Sequence, residues 1–191
     1  MTLCFASNNK HKIEEIADML GDTFVLQTLN DIGCYDDIPE TADTIEGNSL
    51  LKAQYVWERY KINCFADDSG LEVAALGGEP GVLSARYAGE HGNHDRNIDL
   101  LLRNLGNDTN RSARFKTVIT LIINGQQQQF TGILNGTITT ERRGSHGFGY
   151  DPVFELSDTN RTLAEMTMTE KSQISHRARA FEKLTNYLNQ S

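Results

Sequence analysis

The fold class of this 191-residue chain is decided by residues 2–29, TLCFASNNKHKIEEIADMLGDTFVLQTL. The apolar run at 2–6 predicts a short buried strand that ends at a polar turn. Apolar residues then recur at the spacing of one helix face, at Ile13, Ile16, Ala17 and Leu20. Residues 24–29 predict a second strand. The order strand, helix, strand favours an α/β architecture.

The rest of the chain continues this alternation. Further helices are predicted over 44–60, 94–105 and 172–189, each with one apolar face. A strand is predicted at 63–67, and two β-rich runs flank Asn124-Gly125, a strong hairpin signal. We therefore expect one mixed α/β domain over residues 1–191, with a central β-sheet flanked by helices and pinched into two lobes by the hairpin.

Composition excludes several classes of protein. The formal net charge of −8 argues against a duplex-DNA binder, which needs a broad cationic surface. Three well-separated cysteines without a Cys-x-x-Cys pair indicate reduced thiols rather than a disulfide framework or a zinc site. We find no basic region typical of a signal peptide and no run of about 18 apolar residues for a membrane span. We expect a cytoplasmic protein with no membrane or nucleic-acid partner.

Two adjacent acids, Asp67 and Asp68, follow an apolar strand and precede a predicted turn at Ser69-Gly70. Their mutual repulsion suggests a cation, and Mg²⁺ takes one or two protein carboxylates together with waters and substrate phosphates. A further ligand is expected among the acids of residues 31–46, most of which are solvated surface. The alternative interpretation of the pair is an Asx-type turn that ends the strand.

A second polar segment, SNNKHK at 7–12, leaves the first strand and enters the first helix. Backbone N–H groups and the helix dipole at such a junction attract anions, and Lys10 and Lys12 add positive charge. The segment lacks the glycines of a P-loop. An alternative is an ordinary helix start with two solvated lysines.

Two later segments carry aromatic and basic residues. In GFGYDP, residues 147–152, glycines permit close backbone approach, while Phe148 and Tyr150 offer faces for a flat heterocycle. The segment EKSQISHRARA, residues 170–180, concentrates four basic residues: Lys171, His176, Arg177 and Arg179. A packed loop and a solvated cationic face are the respective alternatives, and we expect the solvated role for Arg179.

Taken together, these segments resemble the inosine-triphosphate-pyrophosphatase-like family from about residue 3 to residue 188. The resemblance is carried, in order, by ASNNKHKIEEI, PETADTIEGNSLLKA, ADDSGLEVAALGGEPGVLSARYAG, GFGYDPVF, LAEM and EKSQISHRARA. It implies two lobes with an active-site cleft between them, a homodimer and Mg²⁺ dependence. It also implies hydrolysis of noncanonical purine nucleoside triphosphates (ITP, dITP and XTP) to the monophosphate and pyrophosphate, which cleanses the nucleotide pool.

The resemblance also implies roles for individual residues. The predicted phosphate-binding residues are Ser7, Asn8, Asn9, Lys10, His11, Lys12 and Lys52. The predicted metal ligands are Glu40, Asp67 and Asp68, with Asp68 also the general base and Ser69 a substrate contact. The predicted base and sugar pocket comprises Phe148, Gly149, Tyr150, Asp151, Lys171, His176 and Arg177. The chain departs from the family at Asn8 and His146, where glycine is frequent.

These roles predict a mechanism and a selectivity. Asp68 would position or deprotonate a water that attacks the α-phosphorus. His176 and Arg177 are donors that suit a 6-oxo purine, whereas the 6-amino group of adenine would set donor against donor. The rival hypotheses are a nucleotide sensor that binds without cleaving and, less compatible with the negative charge, a nucleic-acid-binding domain.

Overall fold

The computed structural model describes residues 1–8, 12, 13, 16 and 24–190, and every structural statement concerns these residues. Three predicted phosphate-binding residues, Asn9, Lys10 and His11, lie outside them. Most of the predicted first helix does so as well, although Lys12, Ile13 and Ile16 are helical.

The described residues form a mixed sheet flanked by helices, which confirms the predicted α/β class. The strands are β1 (Thr2–Phe5), β2 (Val25–Gln27), β3 (Cys64–Val73), β4 (Ser112–Ile123), β5 (Gln126–Ile138), β6 (Phe154–Leu156) and β7 (Arg161–Thr162). Their order in the sheet is β2-β1-β3-β4-β5-β6-β7. Strand β1 pairs parallel with β2 and β3, whereas β6 pairs antiparallel with β5 and β7.

Besides the helical residues 12, 13 and 16, the described ranges contain the α-helices α1 (Ile45–Tyr60), α2 (His94–Leu105), α3 (Met168–Ile174) and α4 (His176–Gln190). The single helix predicted over 172–189 is wrong at its start. Ser175 has extended backbone angles and its hydroxyl accepts the Ala178 N–H at 3.1 Å, so it ends α3 and caps α4. Lys171 therefore lies on a separate short helix.

The strand that carries the two acids is also longer than predicted. Residues 69 and 70 do not form a turn, because β3 continues unbroken from Cys64 to Val73. Its neighbour β1 ends at Phe5, which pairs with Phe65. Asp67 and Asp68 thus lie on a continuous strand just past the end of β1.

The chain forms two compact units, and unit 1 comprises 1–68, 117–131 and 180–191. Alternate residues of its strands point to opposite faces. On one face Phe5 stacks on Phe65 with ring centroids 4.9 Å apart, and Phe181 of α4 packs edge-on against Phe65. On the other face Cys4 and Cys64 pack with residues of α1. Unit 1 therefore has a core on each side of its strands.

Unit 1 also contains the predicted hairpin. Asn124 and Gly125 join β4 to β5 with positive φ angles of 52° and 82°. Those angles are the ones that a two-residue type I′ turn requires. The hairpin prediction is confirmed.

Unit 2 comprises 69–116 and 132–179. Its core joins the second half of β3, through Leu71 and Val73, to Ile98 and Leu101 of α2. Phe154 of β6 is fully buried in the same cluster. The cleft between two lobes stays a prediction. None of the helices in the described ranges combines the length and apolar character of a membrane span.

Candidate active site

Unit 1 brings together five residues from four separate segments of the sequence, which we call the acid–lysine cluster: Lys12, Glu40, Lys52, Asp67 and Asp68. The Lys12 ammonium lies 2.7 Å from Asp67 Oδ2. Lys52 donates to Glu40 Oε1, and its Nζ lies 3.6 Å from Asp68 Oδ1. Three predicted metal ligands and two predicted phosphate-binding lysines are thus neighbours.

Local structure explains this arrangement. Thr44 caps α1 by accepting the Gly47 N–H at 3.0 Å, which fixes where the helix begins. Lys52 follows two turns later on a face of α1 that is buried. Asp67 and Asp68 are held rigidly because they belong to β3 rather than to a loop.

Burial and charge shape the electrostatics of the cluster. Asp67 is only 1% exposed and Asp68 9%. Burial raises the pKa of Asp68 above its usual range, although the Lys52 ammonium opposes the shift. Burial alone would lower the pKa of Lys52, but the carboxylates of Asp68, Asp67 and Glu40 raise it overall. Lys52 is therefore protonated at neutral pH.

One oxygen of Asp68 stands apart from the pairs. Within the described ranges, the buried Oδ2 of Asp68 has no hydrogen-bond partner. Unsatisfied buried oxygens are rare and often mark a site for a water, an ion or a substrate. The Asp68 Oδ2 is therefore available to accept a hydrogen bond or a proton, or to bind a cation.

The predicted metal ligands do not form a metal site made of protein side chains alone. Across the part of the chain that the structure describes, no group of three or more His, Cys, Asp or Glu side chains is arranged to hold a metal ion. Lysine ammonium groups instead face the carboxylates. Mg²⁺ needs only one or two protein carboxylates when phosphates and waters complete its shell. Asp68, with its unpartnered oxygen, and Glu40 fit that requirement.

Three other predicted contacts, Ser7, Asn8 and Ser69, lie near members of the cluster in sequence. Ser7 is half-buried just after β1, and Asn8 is exposed. Ser69 is half-buried and adjacent to Asp68 on β3.

In unit 2 the segment 147–151, which we call the Gly147–Asp151 loop, forms a second group with Lys171. Asp151 Oδ2 accepts the Phe148 N–H at 3.0 Å and also binds the Lys171 ammonium. The Lys171 Nζ lies 5.7 Å from the centre of the Phe148 ring. Phe148 is 61% exposed, so its ring offers an accessible face beside a cation.

Glycine is required at the start of this loop. Gly147 has a φ of +82°, and an added Cβ there would lie 2.1 Å from Asp151 Oδ2 and 2.6 Å from Lys171 Nζ. Only a residue without a side chain leaves room for the pair of Asp151 and Lys171. Gly149 also has a positive φ, of +63°, but faces open space.

The prediction that the Tyr150 ring faces a heterocycle does not match the structure. Tyr150 is buried in the core of unit 2, and its hydroxyl donates to the Ser84 carbonyl at 2.8 Å. Burial raises the pKa of Tyr150, so the hydroxyl stays protonated. The residue anchors the loop to the core instead, because its apolar ring gains more from burial than from exposure.

His176 and Arg177, the other predicted base-binding residues, begin α4 and are half-buried. The His176 ring stacks on Phe115, with centroids 5.0 Å apart and planes inclined by 14°. Phe115 was not predicted, because one aromatic residue among strand residues carries no distinguishing pattern.

Sequence reasoning also missed the residues that hold Lys171 in place. Capping boxes at Thr162/Glu165 and Thr167/Glu170 order the turn before α3 and the first turn of α3. Arg161 reaches Glu170 Oε1 at 3.0 Å and also donates to the Glu165 carbonyl. The two Thr-x-x-Glu motifs, TLAE and TMTE, are readable signals for these caps.

Known proteins of one family are similar to this chain over nearly its whole length. Residues 3–187 match the Ham1 family. The dITP/XTP pyrophosphatase of Flavobacterium johnsoniae is 55% identical over 188 residues, which cover 98% of each chain. The protein of the same name from Porphyromonas gingivalis is 51% identical over 187 residues, which cover 97% of this chain and 96% of that protein.

Solved structures agree with the sequence matches. The Staphylococcus aureus Ham1 protein superposes with a TM-score of 0.94 at 37% identity, covering 99% of this chain and 98% of that one. A HAM1 protein from Coxiella burnetii gives a TM-score of 0.95 at 36% identity over the full length of both chains. The resemblance inferred from the motifs is confirmed, and this chain belongs to the Ham1 family.

Proposed function

We propose that this chain is a nucleoside-triphosphate pyrophosphatase that hydrolyses ITP, dITP and XTP to the nucleoside monophosphate and pyrophosphate. The observation that carries the proposal is the acid–lysine cluster, in which Asp68 lies beside two lysines and one of its oxygens has no hydrogen-bond partner among the described residues. The names of relatives that are 51% and 55% identical over nearly the whole chain support dITP and XTP as substrates, and ITP carries the same base as dITP.

The triphosphate is the ligand that suits the lysines. Lys12 and Lys52 are ammonium groups held in place by carboxylates, and each has three donors for phosphate oxygens. Because the pKa of Lys52 is raised, it keeps its charge when the phosphates arrive. The lysines thereby orient the phosphate chain and neutralise part of its charge.

Asp68 is the residue that acts on water. Its unpartnered Oδ2 accepts a proton from a water whose oxygen forms a bond to the α-phosphorus. The bond between the α-phosphorus and the bridging oxygen breaks, and pyrophosphate leaves. General-base assistance of this kind is typically worth about 10²–10⁴-fold in rate.

Mg²⁺ is part of the proposal, with Asp68, Asp67 and Glu40 as the residues that would hold it. A divalent ion supplies charge stabilisation and orientation at the phosphates. Asp67 and Glu40 are then needed near Asp68 as hard oxygen donors, which accounts for three acids beside two lysines.

Residues of unit 2 are the proposed recognition elements for the base. The exposed Phe148 ring suits stacking, and Lys171, His176 and Arg177 are donors for the 6-oxo group of hypoxanthine or xanthine. Adenine would leave such donors facing its 6-amino group. Unpaired polar groups of that kind can reject a substrate by about 10⁴-fold.

Three further properties belong to this proposal and rest on the family resemblance: a homodimer, a cytoplasmic location and a role in cleansing the nucleotide pool. Light scattering during size-exclusion chromatography tests the first of them directly. A monomer at all accessible concentrations would contradict it.

The decisive experiment is a substrate panel. Purified protein is incubated with ITP, dITP, XTP, GTP or ATP, with Mg²⁺ or with EDTA, and pyrophosphate is measured. We expect fast release from the first three nucleotides with Mg²⁺ and none with EDTA. ATP as the best substrate would contradict the base-recognition assignment, and binding of ITP without any release would favour the sensor hypothesis.

A further inference from the structure

Asn48 is a polar side chain buried in unit 1, near the start of α1. It is only 1% exposed. Burying an amide is costly unless it makes hydrogen bonds. The Asn48 Oδ1 accepts the N–H of Ala42 at 2.9 Å, a group in the segment that leads into the helix. The contact joins α1 to that segment.

The joined segment is the one that carries Glu40. Ala42 follows Glu40 by two residues, so fixing its backbone limits where the Glu40 carboxylate can reach. The segment also packs closely on the helix, because a Cβ added at Gly47 would lie 2.6 Å from the Cβ of Ala42. Glu40 is therefore held by its backbone as well as by its ion pair.

Lys52 lies on the same helix face as Asn48, four residues further along. It binds Glu40 and lies 3.6 Å from Asp68 Oδ1. The neighbour of Asn48, Ser49, is fully buried and donates to the Ala66 carbonyl at 3.0 Å, two residues before Asp68. The buried side of α1 thus fixes the backbone two residues after Glu40 and two residues before Asp68, the two acids that flank the Lys52 ammonium.

We infer that Asn48 is a positioning residue for the reaction proposed above, on which this inference rests. By holding the Ala42 N–H it sets the distance between the Glu40 carboxylate and Lys52. That distance in turn determines how the ammonium is directed toward Asp68 and the phosphates. Asn48 acts through Glu40 and not on the substrate.

A double-mutant cycle separates this role from general destabilisation. Asn48→Leu keeps the side-chain size but removes the acceptor. We expect it to lower kcat/KM for ITP about 10-fold or more, because small displacements of catalytic groups cost that much. In a Glu40→Gln background the same change should cost less than about threefold, since the placement of an absent carboxylate no longer matters.

Asn97 provides the matched control. It is also 1% exposed, lies on α2, and its Oδ1 accepts the Ala88 N–H at 2.8 Å. Asn97→Leu removes this buried contact in unit 2, together with the two hydrogen bonds that the Asn97 amide donates to the Ser84 and Ala85 carbonyls. It should give the same fold-change with and without Glu40→Gln. Equal fold-changes for Asn48→Leu in the two backgrounds would overturn the inference.

Hydrogen exchange gives a readout that does not depend on activity. The Ala42 amide should be protected in the wild type and in Asn48→Asp, whose carboxylate still accepts it, and should lose protection in Asn48→Leu. Asn48→Ala, a good helix former, replaces Asn48→Leu if the latter does not fold. Undiminished protection in these acceptor-free variants would overturn the inference. A wild type that releases no pyrophosphate from any nucleotide would instead refute the proposed function.

Discussion

The acid–lysine cluster of unit 1 and the Gly147–Asp151 loop of unit 2 are both built around a buried lysine, but their charges are balanced differently. Lys12 and Lys52 face three carboxylates, and one of these, Asp68, has an oxygen without a hydrogen-bond partner in the described ranges. Lys171 faces Asp151, whose Oδ2 also accepts a backbone N–H. A carboxylate oxygen without a partner in one region is available to accept a proton, while a satisfied pair in the other suits the rigid presentation of an aromatic face.

The supports of the two lysines differ in the same way. Lys52 belongs to α1, a helix of 16 residues packed against a core. Lys171 belongs to α3, with seven residues, and isolated helices of that length are not stable. A capping box and the ion pair of Arg161 with Glu170 stabilise this short helix. The position of Lys171 therefore depends on local hydrogen bonds more than on core packing.

The largest expected effect is a loss of kcat on substitution of Asp68, in the acid–lysine cluster of unit 1. Asp68→Asn should lower kcat by about 10²–10⁴-fold, because the amide cannot take the proton of the attacking water. Burial disfavours the charged form of Asp68, so the free energy of unfolding should not fall. Pyrophosphate release and urea unfolding measure both quantities. Activity retained by this variant would remove Asp68 from its role.

The next effect concerns stability in unit 2. Lys171→Met leaves the Asp151 carboxylate buried, at 9% side-chain exposure, without its cation. Breaking such a pair should lower the free energy of unfolding by about 3 kcal/mol and raise the KM for ITP. Lys183→Met is the control, because Lys183 is exposed and its ammonium donates to the Thr131 carbonyl at 2.6 Å rather than to a buried carboxylate. Equal unfolding free energies for the two variants would show that the buried pair contributes nothing.

Two glycines of the same loop give a smaller, matched comparison. Gly147→Ala combines a positive φ with a clash against Asp151 and Lys171, whereas Gly149→Ala has only the positive φ. We expect losses of about 2 kcal/mol and about 1 kcal/mol in unfolding free energy, respectively. The KM for ITP should rise more for Gly147→Ala. The reverse order would mean that backbone strain, not space for the ion pair, makes glycine necessary.

The smallest effect is a shift in pH dependence that belongs to unit 1. Asp68 must be ionised to accept a proton, so kcat/KM should fall as the pH decreases through its raised pKa. Lys52 lowers that pKa and Glu40 raises it. Lys52→Gln should therefore move the acidic limb of the profile to higher pH, and Glu40→Gln should move it to lower pH. Shifts in the same direction would contradict the assignment of the limb to Asp68.

Patterns of hydrophobic spacing were sufficient to predict α1 and α2 from the sequence, and the Asn124-Gly125 turn signal between two β-rich runs was sufficient to predict the hairpin. The proximity of Glu40, Lys52 and Asp68 followed from the family resemblance, because residues from separate segments cannot be paired by spacing alone. Their roles in catalysis and metal binding stay predictions.

The misses share a physical origin. Ser69-Gly70 has turn composition, yet strand pairing keeps it in β3. Ser175 interrupts a continuous apolar face because its hydroxyl caps the next helix. Tyr150 is apolar enough to enter the core once Ser84 satisfies its hydroxyl. In each case a tertiary or capping contact overrides the local pattern.

Alternate side chains of β1 and β3 point to opposite faces of the sheet, and this places the cysteines of both strands in one buried cluster. Cys4 and Cys64 pair in register and lie with Cys34 in one fully buried cluster beside α1. Burial raises the pKa of Cys4 and Cys64 to about 12, so almost no reactive thiolate forms at neutral pH. Alkylating reagents should thus label the native protein slowly, and the labelling rate should measure how often this buried cluster becomes exposed. A cysteine engineered on the surface would therefore react selectively with a thiol-reactive fluorophore.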